Sequence, residues 1–357
     1  MSQAVDDARA IVLRRRRDEP WLARWGRRAV SVPGLLVAAL VVGALLPPLL
    51  LLAVLFDLAR RRPLPLARAL LVVAAYLVCE ALGIVSSLAL GLVRPFVPPA
   101  RSLAWTYRLQ GAWAAALLRA LRRAYGVSLE VEGLDRVGPG PLLVLARHTS
   151  AADTLLPVVL LSNGLGLRLR YVLKRPLLWD PCLDLVGQRL PNAFVARGAE
   201  RTDRTDDDVA AVSDLARGLG PGDAVLIYPE GTRFTPARRA AALERLAASR
   251  RPHLVERARR LEHVLPPRLG GPLALLEASD ADVLFFAHTG LEGTARLADL
   301  LAGGLIGARV RVALWRVPRA EVPTCAERRA EWLHDQWARL DGWVGATRGS
   351  QPRASGG

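Results

Sequence analysis

Lysine is nearly missing from this chain of 357 residues. Lys174 is the only one, although lysine and arginine together number 49 against 33 aspartates and glutamates. The formal net charge of +16 is therefore carried by arginine. It suits an anionic surface, but alanine, leucine and glycine are abundant too, so arginine also reads as the default surface residue here and the sum alone selects no partner. Cysteine is scarce. Cys79, Cys182 and Cys325 are too few and too scattered for a disulfide framework, and no Cys/His pair has zinc-ligand spacing, which fits a reducing compartment. No carboxylate cluster suggests a metal, since Asp206-Asp207-Asp208 reads as a helix start, where negative charge is favourable. There is no G-x-S-x-G elbow, no internal repeat, and no motif or aromatic-basic platform for specific nucleic-acid binding.

Hydrophobic residues, by contrast, make up 52% of the chain. From Pro33 to Phe56 no charge occurs, long enough to cross about 30 Å of hydrocarbon at about 1.5 Å per residue, with Pro47-Pro48 expected to kink it. A second stretch, Leu66 to Val93, carries Arg68 and Glu80. The first stretch is too long for a signal-peptide core and lacks its cleavage site, so the expectation is a retained membrane hairpin. The arginines before the first stretch and after the second put both ends in the cytoplasm, against an opposing signal from Arg60, Arg61 and Arg62 in the loop. Trp105, Leu109, Trp113, Leu117, Leu121 and Tyr125 then recur every four residues on a basic amphipathic helix, which suits a membrane interface or a protein core equally by periodicity; the Trp and Arg content favours the interface.

Short apolar runs at Leu142–Ala146, Tyr171–Leu173, Phe194-Val195, Ala224–Tyr228, Val283–Ala287 and Val310–Leu314 read as buried strands. They alternate with helical segments such as Asp208–Leu219 and Pro236–Arg250, which predicts an α/β fold, a central mixed sheet flanked by helices. Leu333, Trp337, Leu340 and Val344 form a stripe suited to core packing.

Two motifs carry chemistry. Arg147-His148-Thr149-Ser150-Ala151-Ala152-Asp153 follows the first strand of this alternation and supplies an imidazole with a carboxylate five residues on, usable as base and orienter if the chain bends between them. Thr149 or Ser150 can cap a helix starting there, placing Asp153 in its first turn. Tyr228-Pro229-Glu230-Gly231-Thr232-Arg233-Phe234 begins where another strand ends, and Arg233 offers a planar fork for phosphate. Together they resemble the lysophospholipid and 1-acylglycerol-3-phosphate acyltransferases, whose blocks read His, four residues, Asp, and Pro-Glu-Gly-Thr-Arg. The resemblance runs from about Leu142 to Val317. The longer stretch through Glu262-His263-Val264-Leu265-Pro266-Pro267-Arg268-Leu269-Gly270-Gly271 is similar to the subgroup that includes lysocardiolipin acyltransferase.

The resemblance implies a catalytic pair, His148 and Asp153, and an acceptor phosphate held at Glu230, Gly231, Thr232 and Arg233. Gly231 would let backbone approach, and Glu230 would hold Arg233 or a substrate hydroxyl. A middle block ending in arginine is matched by Gly187 and Phe194-Val195-Ala196-Arg197, making Arg197 a second phosphate contact. Lys174 survives from the family's Lys-x-Glu-Leu, but Pro176 stands where the glutamate would be. The last block, Val283-Leu284-Phe285-Phe286, lacks the expected proline. Arg268, in a Pro-Pro-Arg turn, is a candidate headgroup contact with Lys174.

The expected organisation is a basic segment (1–29), membrane-anchoring helices (30–94), an amphipathic connecting helix (95–135), an acyltransferase domain (136–320), a C-terminal helix (321–346) and a disordered tail (347–357). The expected activity moves an acyl group from acyl-CoA or acyl carrier protein to a lysophospholipid hydroxyl, at an anionic membrane surface on the cytoplasmic face, with no metal or cofactor. The alternative is an inactive relative that only binds anionic lipid.

Overall fold

The computed structural model describes residues 8, 10–13, 19–195, 205–248, 252–294 and 296–349. Seven strands form one sheet: β1 (Ser128–Glu132), β2 (Leu142–Ala146), β3 (Arg168–Lys174), β4 (Ala193–Val195), β5 (Asp223–Ile227), β6 (Asp282–Thr289) and β7 (Arg309–Val317), in the order β1-β7-β6-β2-β5-β3-β4. Every pairing is parallel except β6 with β7, so the sheet is mixed as expected. β2, β5 and β6 are buried along nearly their whole length, which is why they read as unbroken apolar runs. β1 gave no such run: it is an edge strand whose Ser128, Glu130 and Glu132 are exposed.

Alternate residues of the sheet feed two cores. Leu142, Val144, Ala146, Leu226 and Phe286 pack with helix α3 (Pro99–Tyr125) and a short helix α4 (Ala152–Asn163) on one face. Leu143, Leu145, Ile227 and Phe285 pack on the other with α6 (Thr205–Ala216), α9 (Gly270–Ala278) and α11 (Ala326–Gly349). Three further helices, α5 (Pro181–Leu185), α7 (Pro236–Ala247) and α8 (Pro252–Arg259), lie outside these layers, and α10 (Leu297–Leu301) precedes β7. The stripe Leu333, Trp337, Leu340 and Val344 is fully buried, and α11 continues past the expected end to Gly349.

The N-terminal hairpin is α1 (Trp21–Ala59) and α2 (Pro65–Val93). Helix α1 runs on through Pro33, Pro47 and Pro48 and starts earlier than the apolar stretch, so that Arg27 and Arg28 reach the buried Asp184 of α5 at 3.0 and 2.9 Å. This much of the basic segment is therefore folded onto the domain. Asp57 closes the hairpin by accepting the N–H groups of Leu66 and Ala67 at the start of α2 (2.9 and 3.1 Å).

Helix α2 is docked along the domain at both ends. Pro65 lies against Gly303, Arg68 donates to the Ala124 carbonyl, Tyr76 to Asp180 (2.8 Å), and Ser87 accepts from Arg189 (2.6 Å). Glu80, which the sequence allowed to pair with Arg68, instead accepts from Trp113 Nε1 (3.0 Å) and the Cys182 N–H (3.3 Å). Trp113 thus belongs to the contact between α3 and α2, and Leu121 and Tyr125 of its stripe are buried in the core. The rest of the hairpin is bare: Leu40, Leu52, Leu82, Val85 and Leu92 are all more than half exposed. Trp337, with no exposure, donates Nε1–H to the Leu265 carbonyl (3.0 Å) beneath the second motif. Trp337→Ala should cost about 3–5 kcal/mol, read as a lowered denaturant midpoint in detergent, whereas a change within 1 kcal/mol would show that α11 is only lightly packed.

Candidate active site

His148 is the second residue after β2. Arg147 still donates its N–H to Phe286 of β6, and then the chain turns away from the sheet. The turn is closed by a reciprocal cap. Ser150 Oγ accepts the N–H groups of Ala152 and Asp153 (3.1 and 3.2 Å), and Asp153 Oδ2 accepts those of Thr149 and Ser150 (2.6 and 2.8 Å). Asp153 therefore stands in the first turn of α4, as expected, and its other oxygen, Oδ1, is 3.0 Å from His148 Nδ1. A carboxylate can only accept, so Nδ1 carries the proton and Nε2 presents a lone pair.

Burial would raise the pKa of Asp153, but the hydrogen bond and charge of His148, with help from His288 and the Ser150 N–H, hold it below the ordinary carboxylate range. His148 is 17% exposed while Asp153 is sealed, so the imidazole can be reached from outside and its carboxylate partner cannot. The Tyr228 ring lies 4.6 Å from the imidazole, tilted 39°. Its phenol is buried and held well above its ordinary pKa, first by desolvation and then by the charge of Asp153.

The second motif is fused to the first. Glu230 accepts the His148 N–H on Oε1 (2.9 Å) and the Leu265 N–H on Oε2 (2.9 Å), while the Phe234 N–H donates to the His148 carbonyl (3.1 Å). The backbone of His148 is thus gripped on both sides by the 228–234 loop. Both Glu230 oxygens are taken up by main chain, so the carboxylate is a brace between loops where the sequence suggested a hold on Arg233 or on substrate. Burial pushes its pKa up to about 7, against the nearby charge of Arg147 and the two N–H donors.

Gly231 has φ +66°, and a Cβ there would lie 2.7 Å from Arg268 Nε, so the position needs glycine twice over. The Arg268 N–H donates to the Pro229 carbonyl (2.8 Å), which brings this arginine onto the loop. Thr232 and Arg233 are half-buried on the same loop, with Arg233 next to the Phe234 contact to His148. Lys174 ends β3 at the same edge of the sheet, but β5 lies between β3 and β2. Arg197 lies outside the described residues.

Two groups escaped the sequence reading. Arg147, fully buried, donates to the carbonyls of His288 (2.6 Å) and His263 (2.9 Å) and to Glu292 (2.7 Å), binding β2, β6 and the 263–268 turn together. His288 of β6 comes within 3.5 Å of Asp153 Oδ2. An arginine directly before the histidine, inside an otherwise apolar strand end, was the available signal for the first; nothing in the sequence marked the second.

An imidazole oriented by a sealed carboxylate stands at the carboxyl edge of a mixed sheet beside an arginine-bearing loop, a geometry able to take a proton from a hydroxyl. Residues 128–268 match the family model described as Acyltransferase. Among solved structures the chain is similar to the 1-acyl-sn-glycerophosphate acyltransferase PlsC from Thermotoga maritima, with a TM-score of 0.53 over 78% of this chain and 97% of that one; at 14% identity this is a likeness of fold. No curated protein sequence matches the chain.

The raised pKa of Glu230 has a sign that can be tested. An acid whose folded pKa lies near 7 and whose unfolded value lies near 4.5 stabilises the fold most when both states are protonated. That stability is lost as pH rises through the interval, on the order of 3 kcal/mol in all. The stability advantage of wild type over Glu230→Ala should therefore shrink between pH 4.5 and 7.5 in thermal melts. An advantage that stays constant or grows would mean that the buried carboxyl is ionised throughout.

Proposed function

We propose that the enzyme acylates the hydroxyl of a lysophospholipid such as 1-acylglycerol-3-phosphate, using an acyl thioester. The observation that carries this reading is the fusion of the two motifs: the loop that ends in Arg233 also grips the backbone of His148, so a phosphate held by that arginine sits one short molecule away from the base. His148 Nε2 takes the proton of the acceptor hydroxyl as its oxygen attacks the thioester carbonyl carbon. The tetrahedral intermediate collapses with cleavage of the C–S bond, and the imidazolium returns the proton to the departing thiolate. Thr232, Gly231 and Arg268 complete the phosphate-binding end of the site, with Lys174 at the end of β3 as a further cation. Glu230 acts through His148 and Leu265.

The hairpin supports a membrane-bound enzyme, with an attachment that differs from an upright pair of spans. From Pro65 to Ser87 helix α2 extends about 33 Å, the thickness of a whole hydrocarbon core, and it is docked on the domain at both points. An upright span would carry the polar domain into the lipid with it. We therefore read the bare faces of α1 and α2 as lying in one leaflet, with the catalytic domain beside them. The cytoplasmic side and the anionic headgroup contact follow from the arginine distribution and rest on it alone.

His148→Ala should lower kcat about 10²–10⁴-fold with little change in acceptor KM. Arg233→Ala should instead raise KM for a lysophospholipid by one to two decades, the loss of about 1.5–3 kcal/mol of charged hydrogen bonding, and leave the phosphate-free monoacylglycerol nearly unaffected. Equal losses on both acceptors would make Arg233 structural or donor-binding; an active His148→Ala would overturn the mechanism.

The attachment is read separately in sealed vesicles with a membrane-impermeant thiol reagent. Arg61→Cys at the hairpin tip and the exposed native Cys325 should be labelled from the same side, and labelling from opposite sides would restore the upright hairpin.

A further inference from the structure

We propose that His288 is a positioning residue for the catalytic pair, a second imidazole whose N–H is donated to the Arg147 carbonyl and lies 3.5 Å from the carboxylate oxygen of Asp153 that does not face His148. The proposal rests on the reading of His148 as the base. His288 Nε2 is 3.0 Å from the Arg147 carbonyl oxygen and 3.5 Å from Asp153 Oδ2, in a side chain 1% exposed. Both partners are acceptors, so Nε2 must carry the hydrogen, and the ring is fixed as the Nε2–H tautomer. Nδ1 is buried and has no hydrogen-bond partner among the described residues to hold a second proton.

The ring is also kept neutral by its surroundings. Burial lowers its pKa, and the buried guanidinium of Arg147 pushes in the same direction, together outweighing the pull of Asp153 and Glu292. The remaining ionisable groups around the pair are His148, which shares Asp153, and Tyr228 and Glu230 on the neighbouring loop. Asp153 therefore meets one imidazole that changes charge during the reaction and one that does not.

The consequence is a tuning of the base. A neutral N–H dipole 3.5 Å from Oδ2 stabilises negative charge on the carboxylate and so moderates how strongly Oδ1 attracts a proton on His148. It also fixes Asp153 against β6, so the carboxylate is oriented by the sheet as well as by its own turn. Removing the N–H should make His148 easier to protonate and less often available as a base at mildly acidic pH.

The test compares wild type, His288→Phe, which keeps a ring and removes the N–H, and His288→Gln, which restores a donor near Nε2. His288→Phe should lower kcat about tenfold with acceptor KM unchanged, and shift the acidic limb of the pH–rate profile upward by about half a unit to one unit. His288→Gln should recover most of both. A purely structural histidine would lower the melting temperature and leave the limb in place, which would overturn the proposal. Should the variants not fold, nitrogen-15 NMR of histidine-labelled wild type reads the tautomer directly: a neutral Nε2–H signal that does not titrate between pH 5 and 8 is expected, and a titrating or Nδ1–H ring would contradict it. His148→Ala, assayed beside them, keeps the two claims apart. An active His148→Ala sinks the base itself, whereas an inactive one with an unshifted His288→Phe profile sinks only the role of His288.

Discussion

One carboxylate, that of Asp153, does two jobs with its two oxygens, and the arrangement of the site follows from that division. Oδ2 closes the turn after β2 by accepting the N–H groups of Thr149 and Ser150. That turn points the chain back on itself, so that Oδ1 meets His148. On a continuous helix, residues five apart would face about 140° away from each other. The Ser150 hydroxyl is committed to the same turn, accepting from Ala152 and Asp153 in a fully buried position, which suits a cap and not an enzyme-borne nucleophile.

Around this centre the molecule is held by buried ionisable side chains that bridge segments distant in sequence. Glu230 joins the 228–234 loop to His148 and to Leu265; Arg147 joins β2 to β6 and to His263; Asp184 and Glu80 join the hairpin helices to the domain. Each is sealed from water and satisfied largely by main chain or by an opposite charge, the condition under which a buried charge can be kept. The exposed surface of the hairpin has the opposite character: its leucines and valines face outward, a contiguous apolar surface of the kind that marks an interaction site.

Much of the fold was legible because burial leaves a plain signal. Six of the seven strands stood out as apolar runs, while β1, with charged residues toward solvent, did not. The site was legible as two local motifs, and the bend that makes them useful could be argued from Ser150 and Asp153. What was not legible was which residues meet across the sheet. His288 reads as a histidine in a core strand until β6 is paired with β2, and Glu80 reads as a stray membrane charge until Trp113 and Cys182 are brought beside it. The backbone partners of Glu230, at 148 and 265, were not legible for the same reason, since no side-chain pattern announces them.

The account stands or falls on direct transfer, with the acceptor hydroxyl as the nucleophile and His148 as its base. The most direct measurement is a rapid-quench experiment with a thioester labelled in its acyl group, run without acceptor and then with it. Without acceptor, the protein should take up no covalent label and release no stoichiometric burst of thiol; with acceptor, label should pass to lipid in one step. A full equivalent of acyl group bound to the protein before acceptor is added, on Ser150 or any other residue, would contradict it.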